Sequence, residues 1–165
     1  MNRIGIPAAS FAFVVLAVSF AWAAASPDGA KLQIVAAADQ PRERGAADFF
    51  TGNANVVGRF RRDAPSRVTG AIVTFDAGAH TIWHSHPLGQ TLIVTEGSGY
   101  VQVEGEPARR IAKGDTVWTP PGVKHWHGAT PTSSMTHVAI AEALEGENVG
   151  RGARVTAAEY AAASK

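Results

Sequence analysis

The sequence has no cysteine, so disulfides and thiolate metal ligands are both excluded. It also lacks an excess of either charge: 15 Lys and Arg face 14 Asp and Glu, which gives a nucleic-acid partner no electrostatic support. The local cluster Arg59, Arg61, Arg62 and Arg67 is interpreted as a solvated face or as ion-pair partners. A chain of 165 residues has room for one core, and that core must be stable without cross-links.

Long apolar runs are missing from the chain after its N-terminus. There, residues 11–21 carry no charge, Arg3 precedes them, and Ala21-Trp22-Ala23 and Ala23-Ala24-Ala25 both fit the A-x-A cleavage pattern. We therefore predict a signal peptide over residues 1–25, a mature domain over residues 26–165, and a periplasmic or secreted protein without a membrane partner after cleavage. The alternative is an uncleaved anchor, but the run is shorter than the roughly 20 residues that span a bilayer.

Glycine and proline are spread between short apolar runs, a pattern typical of β structure. The pattern predicts six strands, at residues 68–75, 92–95, 100–104, 110–112, 116–119 and 135–141. Short strands at this spacing indicate an all-β sandwich or barrel. Residues 41–58 are interpreted as a loop with a short strand. Near the C-terminus, Thr156 and Glu159 have the spacing of a capping box, which predicts a short terminal helix.

All six histidines fall between positions 80 and 137. Side chains alternate faces along a strand, so His84 and His86 point the same way and can bind one ion. Imidazole suits zinc, copper, iron, nickel and manganese. Histidines packed in a core without metal are the alternative, and the clustering disfavours it.

The spacing Gly78-x5-His84-x-His86-x3-Gln90-x6-Gly97, followed by Gly114-x5-Pro120-x-Gly122-x2-His125, resembles the two motifs of the cupin family. The resemblance implies a single jelly-roll β-barrel domain, with its core over about residues 45–142, and one metal ion held inside by His84, His86, Gln90 and His125. Gln90 departs from the glutamate of the common motif. Because a neutral amide leaves the ion's charge unneutralised, we expect a stronger Lewis acid and a bias against oxygen activation.

Two further histidines are candidates for catalysis. In His125-Trp126-His127 the alternation places His127 on the cavity side, one step along the strand from His125. His137 shares a strand face with Ala141, and Val73 shares one with Ala71, so these small side chains are predicted to line an apolar substrate pocket. A neutral imidazole in such a pocket can act as a general base. The alternative is that His127 and His137 only support the ligands by hydrogen bonds.

Residues 47–52, 83–94, 120–122, 125–129 and 135–140 resemble a narrower group, the bacterial manganese cupins with hydroxynitrile lyase activity and their relatives. The resemblance implies that the four ligand residues bind manganese and that His127 and His137 lie in the active site. Ala141 departs from the polar side chain that these lyases usually carry. His80 matches no ligand position and is predicted to lie on the surface, whereas Trp83, Trp118 and Trp126 are predicted to pack in the core or the pocket.

The leading functional hypothesis is a metal-dependent lyase that reversibly cleaves a cyanohydrin to an aldehyde and hydrogen cyanide, with His127 or His137 as acid and base. Its cofactor would be one divalent transition metal, with Mn²⁺ favoured and Fe²⁺, Zn²⁺ or Ni²⁺ possible. The alternatives are a dioxygenase of a diketone or flavonol and a non-catalytic module that binds a small ligand or the metal. The resemblance also implies a homodimer or homotetramer and a small-molecule substrate.

Overall fold

The computed structural model describes residues 31–164, and the predicted signal peptide at residues 1–25 lies outside the described residues. From Val35 onward the chain is mostly β structure. Its elements are β1 Arg42–Arg44, β2 Phe50–Thr51, β3 Ala54–Arg61, β4 Val68–Phe75, β5 His80–Thr81, β6 His84–Ser85, β7 Gln90–Val103, β8 Arg109–Ala112, β9 Thr116–Thr119, β10 His125–Ala129, β11 Met135–Glu142, β12 Gly150–Arg151 and α1 Ala157–Ala163. None of the helices within residues 31–164 is long and apolar enough to cross a membrane.

The strands pair antiparallel in two sheets that share β7. One sheet has the order β1-β3-β4-β11-β7-β9, and β7 then continues into a second sheet, where it pairs with β8 and β10. β10 in turn pairs with β5 and β6. β7 passes from the first sheet to the second near Gly97. A glycine is required there because its φ is +70° and a Cβ would lie 1.9 Å from the carbonyl oxygen of Ser134.

The hydrophobic core lies between the two sheets and follows from the alternation of side chains along each strand. Leu92 and Val94 of β7 point inward, whereas Ile93 between them is exposed. Phe75 and Met135, which are fully buried, face each other across the β4–β11 pair. A second cluster joins Trp83 and Trp126 to Val155, and α1 packs on it through Tyr160. These contacts fix the end of the barrel at which the histidines lie.

The all-β prediction is confirmed, and the strand predicted at residues 68–75 is observed with those limits. The strands predicted at 92–95 and 100–104 are one 14-residue strand, β7, because the glycines between them bend the strand rather than end it. β3, a strand of eight residues, begins inside the segment predicted as a loop with a short strand and extends beyond its end at residue 58. The terminal helix is confirmed with both hydrogen bonds of its capping box, between Thr156 and Glu159.

The predicted exposure of one residue and the predicted burial of another were wrong. His80, predicted to be exposed, is 5% exposed because its ring stacks on Tyr160 of α1 at 4.5 Å, a long-range contact that no local pattern indicates. Trp118, predicted to be packed in the core or pocket, is 58% exposed because it lies on the outer face of β9. Trp83 and Trp126 are buried, as predicted.

Candidate metal centre

The four predicted ligands are brought together by the pairing of short strands at one end of the barrel. His84 of β6 lies directly opposite His125 of β10. His86 follows β6 immediately, and Gln90 is the first residue of β7. All four side chains are buried, with at most 6% of any residue exposed. Strand alternation places His84 and His86 on one face, and likewise His125 and His127.

The rings of His84, His86 and His125 are neighbours. The ring centroids of His84 and His125 are 4.3 Å apart, those of His84 and His86 are 5.2 Å apart, and those of His86 and His125 are 5.8 Å apart. His125 Nε2 lies 3.1 Å from Gln90 Oε1. Two donor atoms at right angles, each about 2.1 Å from one ion, are separated by about 3 Å, so this pair already has the spacing of two ligands.

Backbone carbonyl oxygens orient the three imidazoles. The Nδ1 atoms of His84, His86 and His125 lie 2.9, 2.5 and 3.0 Å from the carbonyl oxygens of Ile82, Asn148 and Val123, respectively. A ring that donates from Nδ1 carries its lone pair on Nε2, the arrangement that metal-binding histidines adopt. His86 Nε2 is buried without a hydrogen-bond partner. These residues therefore fit a divalent transition ion.

Among the described residues, the three histidines whose nitrogens converge most closely include His127 and leave out the predicted ligand His86. One nitrogen from each of His84, His125 and His127 lies within 4.8 Å of the others. His127 was predicted to lie in the cavity but not among the ligands. Its ring is also 4.9 Å from that of His137, so it connects the predicted ligands to the second predicted catalytic residue.

Burial keeps these imidazoles neutral. Burial, followed by the charge of His125, holds the pKa of His84 well below its usual 6.5, and burial does the same to the pKa of His127. Burial also lowers the pKa of His125 and that of His137 to about 4. At neutral pH all four rings therefore carry a lone pair, which both metal binding and proton acceptance require.

His84, His86, His127 and His137 line a cavity of about 600 Å³. The predicted pocket residues Ala71, Val73 and Ala141 all line it, together with His127 and His137. Ala139, on the same strand face as His137 and Ala141, also lines it. Several other wall residues were not predicted, namely Phe49, Phe50, Val56, Asn148 and Val149. Asn148 and Val149 lie beyond the predicted core at residues 45–142, and they reach the site only through contacts with residues distant in the sequence.

Three exposed arginines also line the cavity. Arg59 pairs with Glu43 at 2.6 Å, and Arg151 pairs with Asp48. Arg67, also in the predicted cluster, pairs with Glu142 at 3.3 Å. The prediction of solvated ion pairs is thus confirmed for Arg59 and Arg67. Arg59 and Arg61 of the predicted cluster also border the cavity. Among the described residues that line the cavity there is no carboxylate.

Comparisons with known proteins agree with this architecture. A family model described as a cupin domain matches residues 71–140. The (R)-mandelonitrile lyase of Granulicella tundricola is 49% identical over 129 residues, which cover 78% of this chain and 98% of the relative. A cupin-like protein from Thermotoga maritima has a crystal structure that matches with a TM-score of 0.67 and 43% identity, over 71% of this chain and 89% of that chain.

More distant structures share the fold alone. A polyketide cyclase from Streptomyces resistomycificus matches with a TM-score of 0.57 at 17% identity, over 79% of this chain and 91% of that chain. A barrel domain protein from Rhodopseudomonas palustris matches with the same TM-score and identity, over 76% and 86% of the two chains. The predicted jelly-roll barrel is thereby confirmed.

Proposed function

The chain belongs to the cupin family, and from this premise we propose that it is a metal-dependent lyase that reversibly cleaves a cyanohydrin to an aldehyde and hydrogen cyanide. The observation that carries the proposal is a cluster of buried, neutral histidines opening on a mainly apolar cavity. The printed name of the relative from Granulicella tundricola supports the reaction class. The predicted ligand set departs from the common cupin motif at Gln90, which favours Lewis-acid chemistry over oxygen activation.

His84, His86, Gln90 and His125 would hold one divalent ion, for which we favour Mn²⁺ over Fe²⁺, Zn²⁺ or Ni²⁺ on the resemblance of the motifs. When bound, such an ion supplies Lewis acidity that the neutral amide of Gln90 leaves undiminished. The apolar wall, which includes Ala71, Val73 and Ala141, would bind the organic side chain of the substrate and exclude water.

The imidazoles would move the proton. His127 or His137 accepts the hydroxyl proton of the cyanohydrin as the bond between the carbinol carbon and the nitrile carbon breaks. Cyanide leaves with the electron pair of that bond, the carbon becomes the aldehyde, and the protonated imidazole returns the proton to give hydrogen cyanide. A neutral imidazole with a pKa near 4 is a weak base, so the step depends on a substrate hydroxyl that has been made more acidic.

Turnover of mandelonitrile tests the proposal directly. The purified protein loaded with Mn²⁺ is expected to release benzaldehyde and cyanide from one enantiomer faster than the other, which a chiral chromatographic assay measures. Free Mn²⁺ in the same buffer is the control. A rate no higher than that of the control would contradict the lyase, and oxygen consumption with a diketone or flavonol would favour the dioxygenase instead.

We also propose that the protein forms a homodimer or homotetramer through the outer face of its larger sheet. Ile72 and Ile93 are 37% and 38% exposed and both lie opposite Val138, and the exposed Trp118 lies on the same sheet. Burial of such a row is favoured by about 25 cal/mol per Å².

Ile93→Glu is therefore expected to shift the protein to monomer in size-exclusion chromatography with light scattering. Thr132→Glu, a charge added to an exposed loop, is the matched control and should leave the mass unchanged. A wild-type protein that is already monomeric at micromolar concentration would refute this surface as an interface.

A further inference from the structure

The three predicted imidazole ligands are not oriented in the same way. His84 and His125 each bond to the carbonyl oxygen two residues earlier in the chain, so their own strands fix both rings. His86 instead bonds to the carbonyl oxygen of Asn148, 62 residues later, with a separation of 2.5 Å between Nδ1 and the oxygen. The orientation of His86 therefore depends on a different part of the chain.

That part is a short segment, residues 144–149, which we call the strap. It closes on itself through two backbone hydrogen bonds between Leu144 and Glu147, of 2.8 and 3.0 Å. Arg61 of β3 holds its middle by donating from Nη2 to the carbonyl oxygen of Gly146 at 2.6 Å. Asn148 and Val149, at the end of the strap, line the cavity.

The side chain of Asn148 fastens the strap to the barrel wall. Its Nδ2 donates to Thr69 Oγ1 at 2.9 Å, and the Thr69 hydroxyl in turn donates to the carbonyl oxygen of Ala141 at 3.1 Å. Thr69 is 6% exposed, so water does not readily replace it as a partner. Ala141 pairs with Gln90 in the neighbouring strand, which places this chain of hydrogen bonds beside the other ligands.

We propose that Asn148 is a positioning residue of the metal centre, whose side-chain amide is clamped by Thr69 so that its carbonyl oxygen holds His86 in the tautomer that presents Nε2 to the ion. The inference rests on the metal site of the proposed function. If the hydrogen bond between the Asn148 amide and Thr69 is lost, the Asn148 carbonyl is no longer fixed, and His86 can rotate or exchange tautomers. Supporting groups of this kind are worth about 10- to 100-fold in metal affinity.

The test compares metal affinity in variants of Thr69 and Asn148, with substrate absent. Thr69→Val keeps the shape of the side chain but removes the acceptor of the Asn148 amide, and Asn148→Ala removes the amide itself. Both are expected to weaken Mn²⁺ binding about 10- to 100-fold in a chelator competition assay. Thr69→Ser restores a hydroxyl and should bind within about threefold of wild type, and Glu147→Ala, an exposed side chain on the strap, should match wild type.

A second measurement does not involve the metal. In metal-free protein, ¹⁵N chemical shifts of the His86 ring are expected to show a proton on Nδ1 in the wild type and a mixture of tautomers in Thr69→Val. Unchanged affinity and unchanged His86 shifts in Thr69→Val would overturn the proposal, as would an equal loss of affinity in Thr69→Ser. Failure of the lyase assay would leave these results unaffected, whereas a wild type that binds no Mn²⁺ would overturn both proposals.

Discussion

His84→Ala is expected to remove the bound ion and to lower cyanohydrin turnover about 10³-fold, because the Lewis acid contributes several kcal/mol of transition-state stabilisation and each 1.4 kcal/mol is a factor of ten. His84 is the central member of the cluster. Its ring lies 4.3 Å from that of His125 and 5.2 Å from those of both His86 and His127. Removing it therefore breaks the only arrangement in which the described histidines converge on one point.

The measurement pairs elemental analysis of the purified variant with its rate of benzaldehyde release. Gln90→Glu is the matched control, since it keeps an oxygen ligand at the same place and is expected to retain the ion while lowering turnover through partial neutralisation of its charge. Two outcomes would count against the assignment. A His84→Ala protein with its full metal content would mean that the ligands are misassigned, and one that lacks metal but keeps its activity would exclude a metal-centred reaction.

The cluster of buried histidines could be predicted in part because each strand contributes its histidines in a local pattern. His84 and His86 share a face simply because strands alternate, and the same rule places His127 beside His125. The resemblance of the two spaced motifs to a known family then predicted that these distant segments meet. The structure shows the two segments paired, with His84 opposite His125. Strand β4 was predictable because its run rich in β-branched residues lies between turn residues, with Pro65 and Ser66 before it and Asp76 to Gly78 after it.

Features that depend on glycine conformation or on long-range contacts could not be predicted. A short strand was predicted in residues 41–58, but the full length of β3 was not, because Gly58, with φ of +63°, introduces a bulge that shifts the register between Val57 and Phe60 and interrupts the alternation. The burial of His80 depends on Tyr160, and the orientation of His86 depends on Asn148, 62 residues away. Residues near the site carry no local pattern that identifies such partners.

The buried ring of His137 is unpaired within the protein. Neither of its ring nitrogens has a hydrogen-bond partner, and the residue is fully buried. A buried polar group left unpaired costs about 1–3 kcal/mol, so this imidazole lowers stability unless something binds to it. A substrate hydroxyl in the cavity would supply the missing partner by donating to the free lone pair. The imidazole of His137 would then be in place to accept the proton of that hydroxyl.

His127 has a different position, since it lies among the predicted ligands. One of its nitrogens is within 4.8 Å of nitrogens of both His84 and His125. Replacing His127 is therefore expected to affect metal content as well as turnover, whereas His137, which is one ring further from the ligands, offers a cleaner test of acid–base catalysis.

His137→Leu is expected to lower turnover about 10²- to 10⁴-fold, the usual contribution of a general base, while the metal content stays at the wild-type value. The same substitution should leave the stability of the metal-free protein unchanged or raise it by about 1 kcal/mol, because it replaces an unsatisfied polar ring by an apolar side chain of similar size. Turnover, elemental analysis and urea unfolding measure the three quantities.

A merely structural histidine would give the opposite pair of results, normal turnover with reduced stability. If turnover falls in His127→Leu but not in His137→Leu, with metal retained in both, His127 is the base.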